Sequence, residues 1–177
     1  MLQPGEGASR ERNIILAGFM GCGKSTVGRE LARLLHRQLV DIDQQIVQQQ
    51  RMDVATIFAR YGEARFRELE KDLALDLAMR KNLVIATGGG TLLDDRVFAE
   101  LRVFGFIVYL AWPLEVLLAR ILETGRYRPL AARYGREGLR ALFADREARY
   151  READLEVHAY GFTPDFIAKV IRHAYTC

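Results

Sequence analysis

The chain has 177 residues, 50% of them hydrophobic and 28% charged, with a formal net charge of +3. That length suits one sizeable core and is short for two independent ones, and so small a net charge does not argue for a nucleic-acid partner. The first dozen residues carry no apolar run and nowhere do eighteen apolar residues follow one another, so neither a secretory signal nor a membrane span is read and a cytoplasmic location is expected.

Residues 1–12, polar and glycine-rich, are read as a flexible extension, and 13–177 as one domain. Short apolar runs then alternate with segments of helical period, the sign of βαβ units and a parallel sheet. Strands are predicted over 14–17, 39–41, 83–86, 106–110 and 155–157, short continuous runs that suit cover on both faces. Between them Val27, Leu31, Leu34 and Leu35 keep helical spacing, as do Phe66, Leu69, Leu73 and Leu77, and Leu114, Leu117, Leu118 and Ile121. Gln44 to Gln50 reads as the polar face of a short helix. The stretch 122–137, with Gly125, Pro129, Gly135 and many charges, lacks a steady apolar period and reads as an irregular, mobile lid. Thr163 and Pro164 open a last helix as its cap and first residue. From Arg120 to Arg151 arginines outnumber acids; this is either a solvated helical face or a clamp for an anionic ligand. Few aromatics interleave with them, so a stacking surface for single-stranded nucleic acid is not supported. His36, His158 and His173 are assigned no role.

The strongest motif is Gly18-Phe-Met-Gly-Cys-Gly-Lys24-Ser25, which fits G-x-x-x-x-G-K-[ST] directly after a predicted strand and at the start of a helix. Glycines let successive backbone N–H groups turn inward around phosphate oxygens, and the helix adds its positive end. Gly21, Cys22, Gly23, Lys24, Ser25 and Thr26 are thus candidates for holding ATP, with Lys24 on the β- and γ-phosphates and the Ser25 hydroxyl on Mg²⁺. Cys22 and Cys177 offer no disulfide framework or metal spacing. No guanine signature N-K-x-D follows, which favours a metabolite kinase over a switch GTPase. At the carboxyl edge of the second strand stand Asp41 and Asp43, where open α/β sheets bind ligands; one can attend the metal's water shell and the other an acceptor hydroxyl, although Asp-x-Asp there could also simply cap a helix.

Taken in order behind that loop, Asp41-Ile-Asp43, Gly62-Glu-Ala-Arg-Phe-Arg67-Glu-Leu-Glu70, Gly88-Gly89-Gly90 and Arg128-Pro-Leu resemble the shikimate kinase family from about Asn13 to the end. The resemblance implies a three-layer α/β/α P-loop kinase fold with a five-stranded parallel sheet. It also implies transfer of the γ-phosphoryl group of ATP to the 3-hydroxyl of shikimate, in aromatic amino acid biosynthesis. By the same resemblance Asp43 binds and orients the attacking hydroxyl, Asp41 stands near magnesium, and Arg67 and Arg146 hold the substrate carboxylate. Glu70, one helical turn after Arg67, steadies it or touches a hydroxyl, Gly88, Gly89 and Gly90 let backbone meet the ring, Arg128 covers the γ-phosphate from the lid, and Arg120 stacks on adenine. The acceptor-binding region spans about 42–80. The family shows Pro-Leu before the tyrosine at position 150, where this chain has Ala148-Arg149. The expected partners are ATP and shikimate, with no nucleic acid, no membrane and a monomeric state. A kinase for another polyol acid such as gluconate, a nucleoside or nucleotide kinase, and a non-catalytic nucleotide-binding paralogue are the competing readings.

Overall fold

The computed structural model describes residues 11–123 and 129–176, without the side chains of 129–132. Along the chain run β1 (Asn13–Ala17), α1 (Lys24–Leu35), β2 (Gln38–Asp41), α2 (Ile42–Gln50), α3 (Val54–Ala78) and β3 (Leu83–Ala86). A 3-10 turn (Thr91–Leu93), α4 (Asp95–Phe104), β4 (Gly105–Ala111), α5 (Leu114–Glu123), α6 (Pro129–Tyr150), β5 (Leu155–His158) and α7 (Pro164–Thr176) complete it. The five strands form one parallel sheet, as expected, and their order is β2-β3-β1-β4-β5. Apolar continuity tracks position: β1 and β3 are buried at every residue, whereas the edge strands β2 and β5 each bury one. Helix α1 packs on α7 and α3 on α4, the two-faced cover that right-handed crossovers produce when the chain moves first to one side of β1 and then to the other. That reversal leaves a crevice at the carboxyl ends of β1 and β3, with the loop after β1 on one side and the glycine turn after β3 on the other.

Strand β2 stops at Asp41, as expected, where Asp41 caps α2, its carboxylate accepting from the Gln44 amide at 3.2 Å; Asp43 lies in the first helical turn. One boundary differs from expectation. Of the expected irregular stretch 122–137, Leu122 and Glu123 end α5 and the chain is helical from Pro129 on, interrupted at Gly135 (φ 58°). Proline is favoured at a first helical position, where its missing N–H is not needed, so a residue read as a loop signal starts a helix. Residues 124–128, Arg128 among them, lie outside the described residues, as do 1–10 of the expected extension.

Polar ties fix the frame where elements meet. Buried Asn13 donates through Nδ2 to the carbonyls of Leu77 (3.2 Å) and Arg80 (2.8 Å) and accepts from the Leu83 amide (3.0 Å), joining the end of α3 to β1 and β3. Arg12 is held as well: its carbonyl accepts from Arg37 and Tyr175 at 2.8 Å each. Helix α4 passes into β4 at Gly105 with no intervening loop, and the junction is crowded. A Cβ there would meet Ile15 Cδ1 at 2.0 Å and the backbone oxygen of Leu101 at 2.8 Å. Gly105→Ala is expected to cost about 1–3 kcal/mol, because backbone cannot yield as a side chain can; a lower urea midpoint at unchanged slope is the expected result, and an unchanged midpoint would contradict it.

Candidate active site

The loop between β1 and α1 turns through glycines with positive φ at Gly18 (138°), Gly21 (85°) and Gly23 (94°), dihedrals that side chains rarely adopt. The Cys22 amide donates to the Phe19 carbonyl (3.3 Å) and the Cys22 side chain is buried, so its contribution to a ligand is confined to backbone. Lys24 curls over the loop, donating through Nζ to the carbonyls of Gly18 (2.7 Å) and Phe19 (3.1 Å). Beside it the Ser25 hydroxyl donates to Asp41 Oδ2 at 2.5 Å, so Asp41 serves both as helix cap and as the serine's partner. A cavity of about 680 Å³ opens here, a size common among ligand sites, lined by Gly21, Gly23, Lys24, Ser25, Thr26, Asp41, Asp43, Gly89 and Arg120, among others. Arg120 lies over the Trp112 ring, 5.4 Å from its centroid.

The acceptor side is assembled on the glycine turn. None of its three glycines has a positive φ, so the demand for glycine is one of space. A Cβ on Gly88 would stand 1.9 Å from Glu70 Oε1 and 2.8 Å from Asp43 Oδ1. On Gly89 it would meet Arg146 Nη1 at 3.1 Å, and on Gly90 Arg67 Nη1 at 2.8 Å. The four charged residues that sequence placed on the acceptor thus converge on one turn from α2, α3 and α6. The two arginines differ. Arg67 is already satisfied, donating to Glu70 through Nη1 and to Glu63 through Nη2 (3.0 Å); burial works against its charge, but Glu70 and Glu63 outweigh that and hold its pKa above the ordinary value. Arg146, 3% exposed, has Nε and Nη1 buried with no hydrogen-bond partner among the described residues, and its guanidinium lies over the Phe19 ring at 6.0 Å. Other arginines of the same stretch lie in surface ion pairs, Arg136 and Arg140 with Glu115 and Arg151 with Glu147, so a solvated face and a ligand clamp coexist in it.

The family model for shikimate kinase matches residues 20–175. The chain belongs to the shikimate kinase family. A shikimate kinase of Geobacter sulfurreducens is 44% identical over 151 residues, 85% of this chain and 83% of that one. The structure of the Acinetobacter baumannii shikimate kinase in complex with shikimate aligns with a TM-score of 0.84 at 35% identity, covering 92% of each chain. A gluconokinase of Sinorhizobium meliloti aligns with a TM-score of 0.54 at 18% identity, over 93% of this chain and 89% of that one, a likeness of fold alone.

Three residues that sequence reading passed over support this family site. Glu63 stands four residues before Arg67 on α3 and holds it, a relation legible from i,i+4 spacing. Its other oxygen accepts from Arg133 of α6 at 3.0 Å. The Thr91 hydroxyl donates to Glu70 Oε1 at 3.0 Å, and the Thr87 hydroxyl to the Leu16 carbonyl at 2.9 Å; only the folded turn brings these together.

Asp43 is the perturbed acid. Its Oδ1 is buried without a hydrogen-bond partner among the described residues. Burial first, then Glu70 and Asp41, raise its pKa from 3.8 to about 6, against the opposing pull of Lys24 and Arg67. The folded protein therefore binds this proton more tightly than the unfolded chain, and the stability it contributes is present below pH 4 and lost as pH rises through about 6. Asp43→Asn removes that loss. The variant is expected to be more stable than the parent at pH 7 by about 1–3 kcal/mol, the gap closing toward pH 4; urea titrations at both values check it, and a gap independent of pH would refute the assignment.

Proposed function

We propose that the chain transfers the γ-phosphoryl group of ATP to the 3-hydroxyl of shikimate, with Lys24, Asp43 and Arg128 as its catalytic residues. The observation that carries the reading is the buried Arg146 guanidinium with two open donors, set at Gly89 between Gly88, which Asp43 approaches, and Gly90, which Arg67 approaches. A planar carboxylate suits that fork, and an alcohol on the same ring suits the unpartnered Asp43 oxygen. Membership of the family and the shikimate-bound relative support the same acceptor.

Phosphoryl transfer passes through a loose transition state, so the protein chiefly aligns acceptor, phosphorus and leaving oxygen while neutralising charge. The amides of the glycine loop receive the phosphates and Lys24, leaving its loop carbonyls, follows the charge onto the β- and γ-oxygens. Mg²⁺ would be held by the Ser25 hydroxyl and, through water, by Asp41, and would neutralise the phosphate oxygens. Their all-oxygen contact fits that hard cation, which keeps several waters and needs no protein cage. Among the described residues no cluster of three or more His, Cys, Asp or Glu side chains forms such a cage. Asp43, with a pKa near 6, is a better proton acceptor at neutral pH than a free aspartate and remains mostly ionised there. Arg128 would cover the transferring group, and Arg120 would face the adenine. Among the described residues no helix is long and apolar enough to cross a membrane.

Lys24→Met and Arg128→Ala are each expected to lower kcat by about a thousandfold or more, since both act on charge that develops during transfer; a residual rate within about tenfold of the parent would contradict this. Arg67→Ala is expected to raise KM for shikimate at a cost of about 2–4 kcal/mol, and Arg146→Ala by more, because Arg67 divides its donors among Glu63, Glu70 and the acceptor. The reverse ranking would overturn that division. A coupled assay of ADP release with shikimate, quinate or gluconate tests the acceptor itself, turnover with gluconate alone being the refuting outcome.

A further inference from the structure

The chain has a single tryptophan, Trp112, just past the end of β4 where the sheet gives way to α5. Two ties hold this point to the segment that leaves β5. The Ala159 amide donates to the Ala111 carbonyl at 2.9 Å, and Tyr160 meets the indole in a T-shaped contact, centroids 5.5 Å apart and planes at 64°. From α5, Arg120 lies over the same indole at 5.4 Å from its centroid, within the reach of a cation–π contact. Among the described residues the Arg120 side chain makes no hydrogen bond and no ion pair, so the ring is the contact that orients it. Arg120 also lines the cavity of the phosphate loop, together with Gly21, Gly23 and Lys24. A long, exposed arginine left to itself samples many rotamers, and a ligand that stacks on it has to freeze them.

We propose that Trp112 is a positioning residue for the nucleotide base: its ring holds the Arg120 guanidinium at the mouth of the cavity, one face on the indole and the other offered to the adenine. The inference rests on the reading that Arg120 faces the adenine. A guanidinium is planar and stacks on aromatic faces, so an indole on one side leaves the opposite side for a second flat ring. Tyr160, half exposed beside the sheet edge, acts in turn as a support of the indole. A contact of this kind senses the base and not the phosphates, which the glycine loop and Lys24 receive without it.

Calorimetric titrations of the full-length protein separate the two. With magnesium present, Trp112→Leu is expected to raise Kd for ADP about fivefold, and Trp112→Phe by less, since a phenyl ring keeps part of the attraction. Inorganic tripolyphosphate, which has phosphates and no base, is expected to bind the parent and both variants alike, and KM for shikimate is expected to stay at the parent value. An unchanged Kd for ADP in Trp112→Leu, or an equal loss for ADP and tripolyphosphate, overturns the proposal, as does a loss in Trp112→Phe as large as in Trp112→Leu. Because the chain has no other tryptophan, its emission reports this ring. ADP is expected to shift that emission saturably and tripolyphosphate to leave it unmoved; the absence of a shift with ADP counts against the assignment. Arg120→Ala separates the two levels. If it weakens ADP while Trp112→Leu does not, Trp112 alone is misassigned; if it leaves Kd for ADP unchanged, the placement of Arg120 at the base is wrong. In the double variant Trp112→Leu with Arg120→Ala, no loss beyond that of Arg120→Ala is expected, and an additive loss would show that the indole acts by another route.

Discussion

Two carboxylates and two guanidiniums are pressed against three adjacent glycines, and the rest of the site follows from that packing. Any side chain on Gly88 would occupy the position of a Glu70 oxygen, and one on Gly90 that of an Arg67 nitrogen. The backbone dihedrals of the turn are ordinary, so a tight turn is not what demands glycine; close approach of charge to backbone is. Buried charges of this kind persist only when paired or hydrogen-bonded. Here Glu70, 1% exposed, is met by Arg67 and by the Thr91 hydroxyl. Asp43 and Arg146 keep buried atoms without partners among the described residues, and both are proposed to meet substrate, as is Arg67 with what its glutamates leave free. The site is thus arranged in two tiers, one satisfied within the protein and one satisfied only on binding.

This division has an energetic consequence. An acid raised to about 6 by burial and like charge makes the empty protein less stable at neutral pH than it would be with a neutral group there. The same cost makes the acid useful, since a proton acceptor gains as its pKa approaches the working pH. Lys24 likewise donates to the neutral Gly18 and Phe19 carbonyls, which the phosphates would replace on the proposed reading. On the proposed reading the acceptor side is held in place before substrate arrives, and Lys24 is the group that has to move.

Much of this was legible in the sequence because it is local or periodic. The five strands were apolar runs, and the phosphate loop needs only contiguous residues between a strand and a helix. Arg67 with Glu70 was legible from helical spacing. What escaped depends on contacts across the fold. Nothing in the order of residues shows that Thr91 serves Glu70, that Arg133 of α6 reaches Glu63 of α3, or that Asp41 both caps α2 and receives Ser25. The start of α6 was missed because Pro129, read as a loop signal, opens the helix. Arg146 was placed by resemblance, and only burial separates it from its surface neighbours Arg140 and Arg151.

The fold alone does not choose the acceptor. A gluconokinase of Sinorhizobium meliloti shares the fold at 18% identity, and a shared fold by itself names no acceptor. Discrimination has to come from groups that a wrong acceptor would leave unsatisfied, since an unpaired buried charge is penalised far more heavily than a missing apolar contact. A nucleoside brings a flat base and no carboxylate, and would leave the buried donors of Arg146 bare. An open-chain polyol acid carries the carboxylate but must freeze several torsions to reach Arg146 and Asp43 together, whereas a ring holds acid and alcohol at a set distance. On the proposed assignment, one buried fork at Gly89 and one buried acid at Gly88, held on the same turn, would favour a cyclic hydroxy acid.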